Sequence, residues 1–455
     1  MTTTIEETLK NESSNNAVTE DFIRDAIDKS TVNALRLALY QATGDATLAY
    51  MKVSKEPIRG GAMLDYVLSK EDEEIVKTKA LGFLLALQTN NLLGISIPGS
   101  KTPSLEDASK LMGVFCGEQL KQRELQLGYE ELAFQDFPRG VTWTKQPSAK
   151  KLDRYHVVII GAGINGISTA VNLRRLGISY TLIDRQSDVG GTWLLNTYPE
   201  ARVDTLGFSF QYKFERAYKW KEMFPSANEL CQYLDHVAVK HDVKKNCKFD
   251  REVIRAKWDE ISSLWTLTLR TPDGREETMT ANSIISASGL FATANIPDFP
   301  GINDYKGHMF HTTLWDHKYD YKNKNVAVIG TGSSGAQLIP GLARHVKKLS
   351  VYQRTAGWIA PYEGYRSAVP AHMNWILDSM PYYRNWYAFA CYIRGMQLPP
   401  LQVDDPEWRA KGGFVNERND GMRKGLTQYI TSKVGADSRL LPNLVLKPPF
   451  NFVTY

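Results

Sequence analysis

The stretch Tyr155–Arg185, YHVVIIGAGINGISTAVNLRRLGISYTLIDR, constrains the fold more than any other part of this 455-residue chain. A short run rich in β-branched residues meets a glycine turn, then an amphipathic helical pattern, then a second strand-like run. Gly161, Gly163 and Gly166 form G-x-G-x-x-G between the first strand and the helix. In such a turn the first glycine allows the tight bend, the second lets a pyrophosphate reach the backbone, and the third lets the helix pack on the strand. N–H groups at the helix start then bind phosphate oxygens. Asp184 ends the second strand 18 residues past Gly166, where a carboxylate hydrogen-bonds ribose hydroxyls. A glycine turn alone is common; this context and spacing together predict a dinucleotide site.

The unit occurs twice. NKNVAVIGTGSSGAQLIPGLARHVKKLSVYQR repeats the strand, the glycines (Gly330, Gly332, Gly335), the helix and the second strand. Here the position matching Asp184 is Gln353, followed by Arg354. Loss of the acid beside an added arginine favours a ribose carrying a 2′-phosphate, hence NADPH over NADH; the plain alternative is that Arg354 only faces solvent. Two unlike sites in one chain imply FAD in the first and NADPH in the second, the design of a flavoprotein reductase or monooxygenase.

The rest of the chain sets bounds. Its length suggests two or three domains, and 43% hydrophobic with 23% charged residues describes a globular protein. A net charge of +5 is too small for a dedicated nucleic-acid or membrane-surface protein. Four dispersed cysteines exclude a disulfide framework and a local zinc site, which suits a reducing, cytoplasmic setting. The longest strongly apolar run, about Leu81–Leu87, is far too short to span a bilayer. Residues 1–16 read as a disordered tail, and the pattern from about Asp21 to Leu127 is helical, punctuated by Pro57 and Gly60-Gly61. Around Phe249–Arg270 the pattern alternates, as in a β-meander. The expected fold class is α/β: two Rossmann-type dinucleotide-binding domains, an FAD domain with an inserted NADP domain, preceded by a helical domain. The boundaries are 1–16 for the tail, 17–150 for the helical extension and linker, 151–320 for the FAD domain, and 321–455 for the NADP domain and an incomplete C-terminal part.

Three further segments carry a family resemblance. Gly190-Gly191-Thr192-Trp193 follows the first unit, and YPEARVDT follows that. Before the second unit lies Tyr305-x-Gly307-x-x-x-His311-x-x-x-Trp315-Asp316. This resembles the fingerprint F/Y-x-G-x-x-x-H-x-x-x-W-P/D of type I Baeyer–Villiger flavin monooxygenases, over about Tyr155 to Arg354. The helical extension is similar to that of the 4-hydroxyacetophenone monooxygenase branch, which includes fungal enzymes of secondary metabolism. The resemblance implies FAD on Gly161, Gly163, Gly166 and Asp184, with Gly191, Thr192, Trp193, Asp204 and Tyr212 near the flavin and Val253 at the adenine end. It implies NADP on Gly330, Thr331, Gly332, Ser333, Ser334, Gly335 and Gln337, with Arg354 and Thr355 at the 2′-phosphate. Tyr305, Gly307, His311, Trp315 and Asp316 become a domain-coupling linker. Asp204 takes a catalytic role by orienting an arginine. The implied reaction uses NADPH, FAD and O2 to insert one oxygen beside a ketone carbonyl, giving an ester or lactone. No metal, nucleic acid or membrane span is implied, and the helical extension is the expected dimer element.

The sequence departs from the family near its end. The family's arginine follows a lysine after a Pro-Pro-Phe-like segment; here LPNLVLKPPF runs into NFVTY, and Lys447 is in the wrong place. Two alternatives therefore accompany the monooxygenase reading: a truncated, inactive relative without that arginine, and a flavin monooxygenase oxidising nitrogen or sulfur.

Overall fold

The computed structural model describes residues 18–58, 63–89, 102–362, 364–435 and 440–445. The expected tail 1–16, the Gly60-Gly61 pair and Lys447 lie outside the described residues. Two compact units emerge, one made of the N-terminal residues to Phe134 together with Val369–Leu398, the other of Gln135–Ala368 with the chain from Pro399 onward.

In the first unit the helical period is realised as expected over much of its length. The helix Glu20–Asp28, capped by the Thr19 hydroxyl, buries Ile23, Ala26 and Ile27 on one face. Val32–Thr43 is buried on nearly all sides. Arg36 within it is fully buried and donates to the carbonyls of Leu48, Met51 (3.0 Å) and Val114 (2.7 Å). Burial lowers its guanidinium to about 10, still charged at neutral pH. The expectation of helix throughout is corrected at one place. β1 (Ser54–Ile58) and β2 (Met63–Val67) pair antiparallel. Pro57 is tolerated there because both strands of a two-stranded ladder are edges.

The segment Val369–Leu398, expected to belong to the final domain, supplies the core of this unit instead. Its helices Ala371–Ser379 and Tyr383–Gly395 bury Ile376, Tyr383, Trp386, Phe389 and Ile393. Phe115 stacks on Trp386 and meets Phe389 edge-on at 5.2 Å. Trp386 Nε1 donates to Gln41 Oε1 at 3.0 Å. Arg394 holds Asp65 with two bonds, 2.8 and 2.9 Å. Gln397 pairs with both backbone groups of Leu64, at 2.7 and 2.9 Å. The boundaries at 150/151 and 320/321 thus differ from the compact units.

The second unit begins with β3 (His156–Ile160), β4 (Ser179–Ile183) and β5 (Cys247–Lys248), then β6 (Glu252–Asp259), β7 (Leu264–Arg270), β8 (Glu276–Ala281) and β9 (Ser283–Ser286). A parallel sheet runs β5-β4-β3-β9, so the strand leading into the first glycine turn is central. β6-β7-β8 is the expected antiparallel meander, with Trp258 opposite Trp265. Val158 and Ile183 of the sheet pack on Leu267, Leu269 and Ala281 of the meander. β10 (Asn325–Ile329) and β11 (Lys348–Tyr352) pair in parallel around the helix Ser333–Ala343. Ile329, Val351 and Tyr352 of this short sheet are exposed. No helix among the described residues is long and apolar enough to cross a membrane.

Phe389 is fully buried, so Phe389→Ala should destabilise the first unit by roughly 3–5 kcal/mol. Urea unfolding measures this; a loss below about 1 kcal/mol would place Phe389 outside the core.

Candidate functional site

The first glycine turn is built by close backbone approach. Gly161 has φ +109, and a Cβ there would overlap the Ala287 carbonyl that follows β9. A Cβ on Gly166 would overlap the carbonyl oxygen of Gly161. Gly163 caps the helix Ile164–Arg175, leaving the first turn's N–H groups without intrahelical partners. Asp184, at the end of β4, accepts from Ala162 N at 2.6 Å and from Gln186 N at 2.8 Å. It therefore clamps the turn while keeping lone pairs for hydroxyl donors.

The Gly190-Gly191 pair folds over the same turn. Gly190 N donates to Ala162 O at 3.1 Å, and a Cβ on Gly191 would stand 2.7 Å from Gly163 Cα. Thr192 is exposed at the start of the following helical turn, and Trp193 meets Phe210 edge-on. The Tyr212 hydroxyl donates to Ile164 O at 2.5 Å. Burial holds its phenol well above the ordinary value. Tyr212 N donates to the Tyr233 hydroxyl at 2.7 Å, which in turn donates to Glu215 O at 3.1 Å. Asp204 is solvent-exposed at its surface, yet the protein mass around its carboxyl raises it above the usual carboxylate value. Val253, expected at the adenine end, is half-buried and packs against the core between meander and sheet.

The second turn repeats the geometry with different chemistry. A Cβ on Gly335 would overlap Gly330 O, whereas Gly330 and Gly332 face open space. Gln353 takes the place of Asp184: its Oε1 accepts from Thr331 Oγ1 at 3.1 Å, and its Nε2 donates to Asn443 O at 2.6 Å. Arg354 and Thr355 are exposed beside it, and Ser333 and Ser334 open the helix. Gln337 points elsewhere. Its Oε1 accepts from the Tyr198 hydroxyl (3.0 Å) and Arg202 N (3.3 Å), while its Nε2 donates to Arg202 O (2.9 Å). The amide expected at a nucleotide thus bonds the Tyr198 hydroxyl and both backbone groups of Arg202.

The linker residues meet this junction. Tyr305 lies over Gly307, where a Cβ would strike the phenol ring. His311 caps the short turn Thr312–Leu314, its Nδ1 accepting from Thr313 N at 3.1 Å. Thr313 Oγ1 donates to Asn196 Oδ1 at 3.0 Å. Trp315 packs on the core formed by Tyr198, Ala201, Ala227, Val328, Leu338 and Leu342. Asp316 bonds Lys318 N and His308, and both interactions lower its carboxyl. The second glycine unit, the segment 198–201 and the linker therefore share one core. Ala287, Tyr233, Glu215 and Asn196 escape sequence reasoning because each acts across long separations and carries no local motif.

Residues 154–373 match the family of flavin-binding monooxygenase-like proteins. The chain is 34% identical over 298 residues to an uncharacterised monooxygenase of Sinorhizobium fredii, covering 65% of this chain and 45% of that one. It is 35% identical over 210 residues to a Baeyer–Villiger monooxygenase of Streptomyces coelicolor, covering 46% and 40% respectively. Among solved structures, oxidised steroid monooxygenase bound to NADP aligns at TM-score 0.53 and 28% identity, over 64% of this chain and 60% of that one. The OTEMO complex with FAD and NADP aligns at TM-score 0.52 and 28% identity, over 65% and 60%. The chain spans less than half the length of these curated relatives. The fold is of the dinucleotide-binding α/β class.

Glu215 supports the Tyr212–Tyr233 wall and is only 2% exposed. Burial alone would raise its carboxyl, but hydrogen bonds from His241 and Lys240 and the charges of Lys240 and His236 outweigh it, holding it at about 2 against 4.5. A depressed folded-state value stabilises above the unfolded one and is lost as pH falls. Stability should therefore decline between about pH 5 and 2, and Glu215→Gln should flatten that part of the melting-temperature profile. An unchanged slope would contradict the assignment.

Proposed function

We propose that this chain is an FAD- and NADPH-dependent Baeyer–Villiger monooxygenase, using O2 to insert one oxygen beside a ketone carbonyl and form an ester or lactone. The observation that carries this reading is the pair of unlike glycine turns in one compact unit. One strand end holds a carboxylate, Asp184; the other holds a carboxamide, Gln353, with the exposed Arg354 next to it. The Baeyer–Villiger name of the Streptomyces coelicolor relative and the FAD and NADP named with the solved neighbours support it.

In this reading residues 151–320 form the FAD domain and the chain from 321, apart from Val369–Leu398 of the first unit, the NADP domain, with the N-terminal helices favouring the 4-hydroxyacetophenone branch. The first turn fits FAD: Gly163 brings no side chain to the point where a pyrophosphate must approach, and Gly161 and Gly191 let Ala287 and Gly163 pack close around the turn. Asp184 then takes the ribose hydroxyls. Thr331, Ser333 and Ser334 meet the phosphates of NADP, and Arg354 with Thr355 the 2′-phosphate. Bound FAD and NADPH would supply hydride transfer and oxygen activation. The chain's own residues bind, orient and shield: Trp193 and Tyr212 wall the flavin side, and Asp204 faces it with a raised carboxyl. The linker around His311 and Trp315 packs on the core of the second glycine unit and bonds Asn196 through Thr313, and in this reading it transmits movement between the two nucleotide sites.

Purified protein given FAD, NADPH, ¹⁸O₂ and a panel of aryl and cyclic ketones should consume NADPH and form esters or lactones carrying one labelled oxygen. NADPH oxidation without labelled ester would overturn the oxygenation reading, and absence of flavin binding would overturn the cofactor reading. Arg354→Ala should raise the KM for NADPH roughly tenfold, about 1.4 kcal/mol, and leave that for NADH nearly unchanged. Equal effects on both would remove Arg354 from the 2′-phosphate.

A further inference from the structure

We propose that Gln337 is a positioning residue that couples occupancy of the second glycine turn to the placement of Asp204 at the first site. The inference rests on the assignment of FAD and NADP to the two turns. Its basis is how the carboxamide is used. Gln337 bonds both backbone groups of Arg202, accepting from N at 3.3 Å and donating to O at 2.9 Å, as a neighbouring strand would. It also accepts from the Tyr198 hydroxyl at 3.0 Å. One turn further along the same helix, Gly341 lets the backbone close in, since a Cβ there would stand 3.0 Å from Glu200 Cγ. Leu338 and Leu342 of that helix share a core with Tyr198 and Ala201. The segment 198–202 is therefore fastened to the helix Ser333–Ala343 by polar and apolar contacts together.

That helix has two ends of interest. Its N-terminus at Gly332 and Ser333 forms the second turn, about 7.5 Å along the axis from Gln337. Arg202 lies two residues before Asp204. The Arg202 side chain is held by Glu222 (2.8 Å) and Glu200, and Val203 N donates to Pro225 O at 3.1 Å, so the backbone leading to Asp204 has little freedom. A small shift of the helix on binding a nucleotide phosphate is then carried through Gln337 to Asp204. Coupling of this kind is reciprocal: each nucleotide changes the affinity of the other by one factor.

The test is the FAD dissociation constant of wild type and variants, with and without saturating NADP⁺. Wild type should show a factor of at least about five. Gln337→Met keeps the volume but removes all three bonds; each nucleotide should still bind alone, with the factor falling below about two. Tyr198→Phe removes the bond to Gln337 and the hydroxyl's interaction with Ser334, and should give an intermediate factor. A wild-type factor in Gln337→Met overturns the proposal, as does a wild type that binds both nucleotides independently. If Gln337→Met does not fold, an unchanged factor in Tyr198→Phe overturns it. A wild type binding neither nucleotide sinks the cofactor assignment instead.

Discussion

In both glycine units a helix starts so close to the preceding turn that no Cβ fits between them. Gly166 lies against the carbonyl of Gly161, and Gly335 against that of Gly330. This contact sets the angle of each helix to its strand, and the N–H groups of the first helical turn are thereby directed at one point in space. Much else is arranged around it. Asp184 and Gln353 reach back from the second strands to bond the residue after the first glycine, and the Gly190-Gly191 pair folds onto the first turn because Gly163 also lacks a side chain.

Joining such units into a working surface poses a second problem, because irregular segments bring backbone polar groups into packed regions. A buried, unpaired peptide group costs about 1–3 kcal/mol. The chain solves this twice with a glutamine. Gln337 pairs with both backbone groups of Arg202, and Gln397 pairs with both of Leu64. A carboxamide presents one donor and one acceptor side by side, so it imitates a neighbouring strand where none runs. Arg36, donating to three carbonyls in the first unit, answers the same need with a cation.

Much of the second unit was legible from local pattern. The strands around both glycine turns, the meander with its Trp258–Trp265 pair and the α/β class follow from periodicity and turn chemistry, which act over a few residues. The fingerprint spacing likewise has visible causes: Tyr305 covers Gly307, His311 caps the next turn, and Trp315 packs on the core of the second glycine unit. The N-terminal region was less legible. Its period predicts helices, but the pairing of Ser54–Ile58 with Met63–Val67 depends on cross-strand contacts, and the aromatic helices that complete the core lie far later in sequence.

The sequence by itself therefore determined which segments become strand, turn and helix, and which strand end carries an acid or an amide. Those choices rest on side-chain sterics and hydrogen-bonding type, which are local properties. The tertiary structure alone decided that Gln337 bonds the Arg202 backbone, that Val253 packs in a core, and that Val369–Leu398 belongs with the N-terminal helices. A glutamine's partners and an apolar stripe's cover are set by what the folded chain brings within about 3–4 Å, and sequence spacing does not encode that distance.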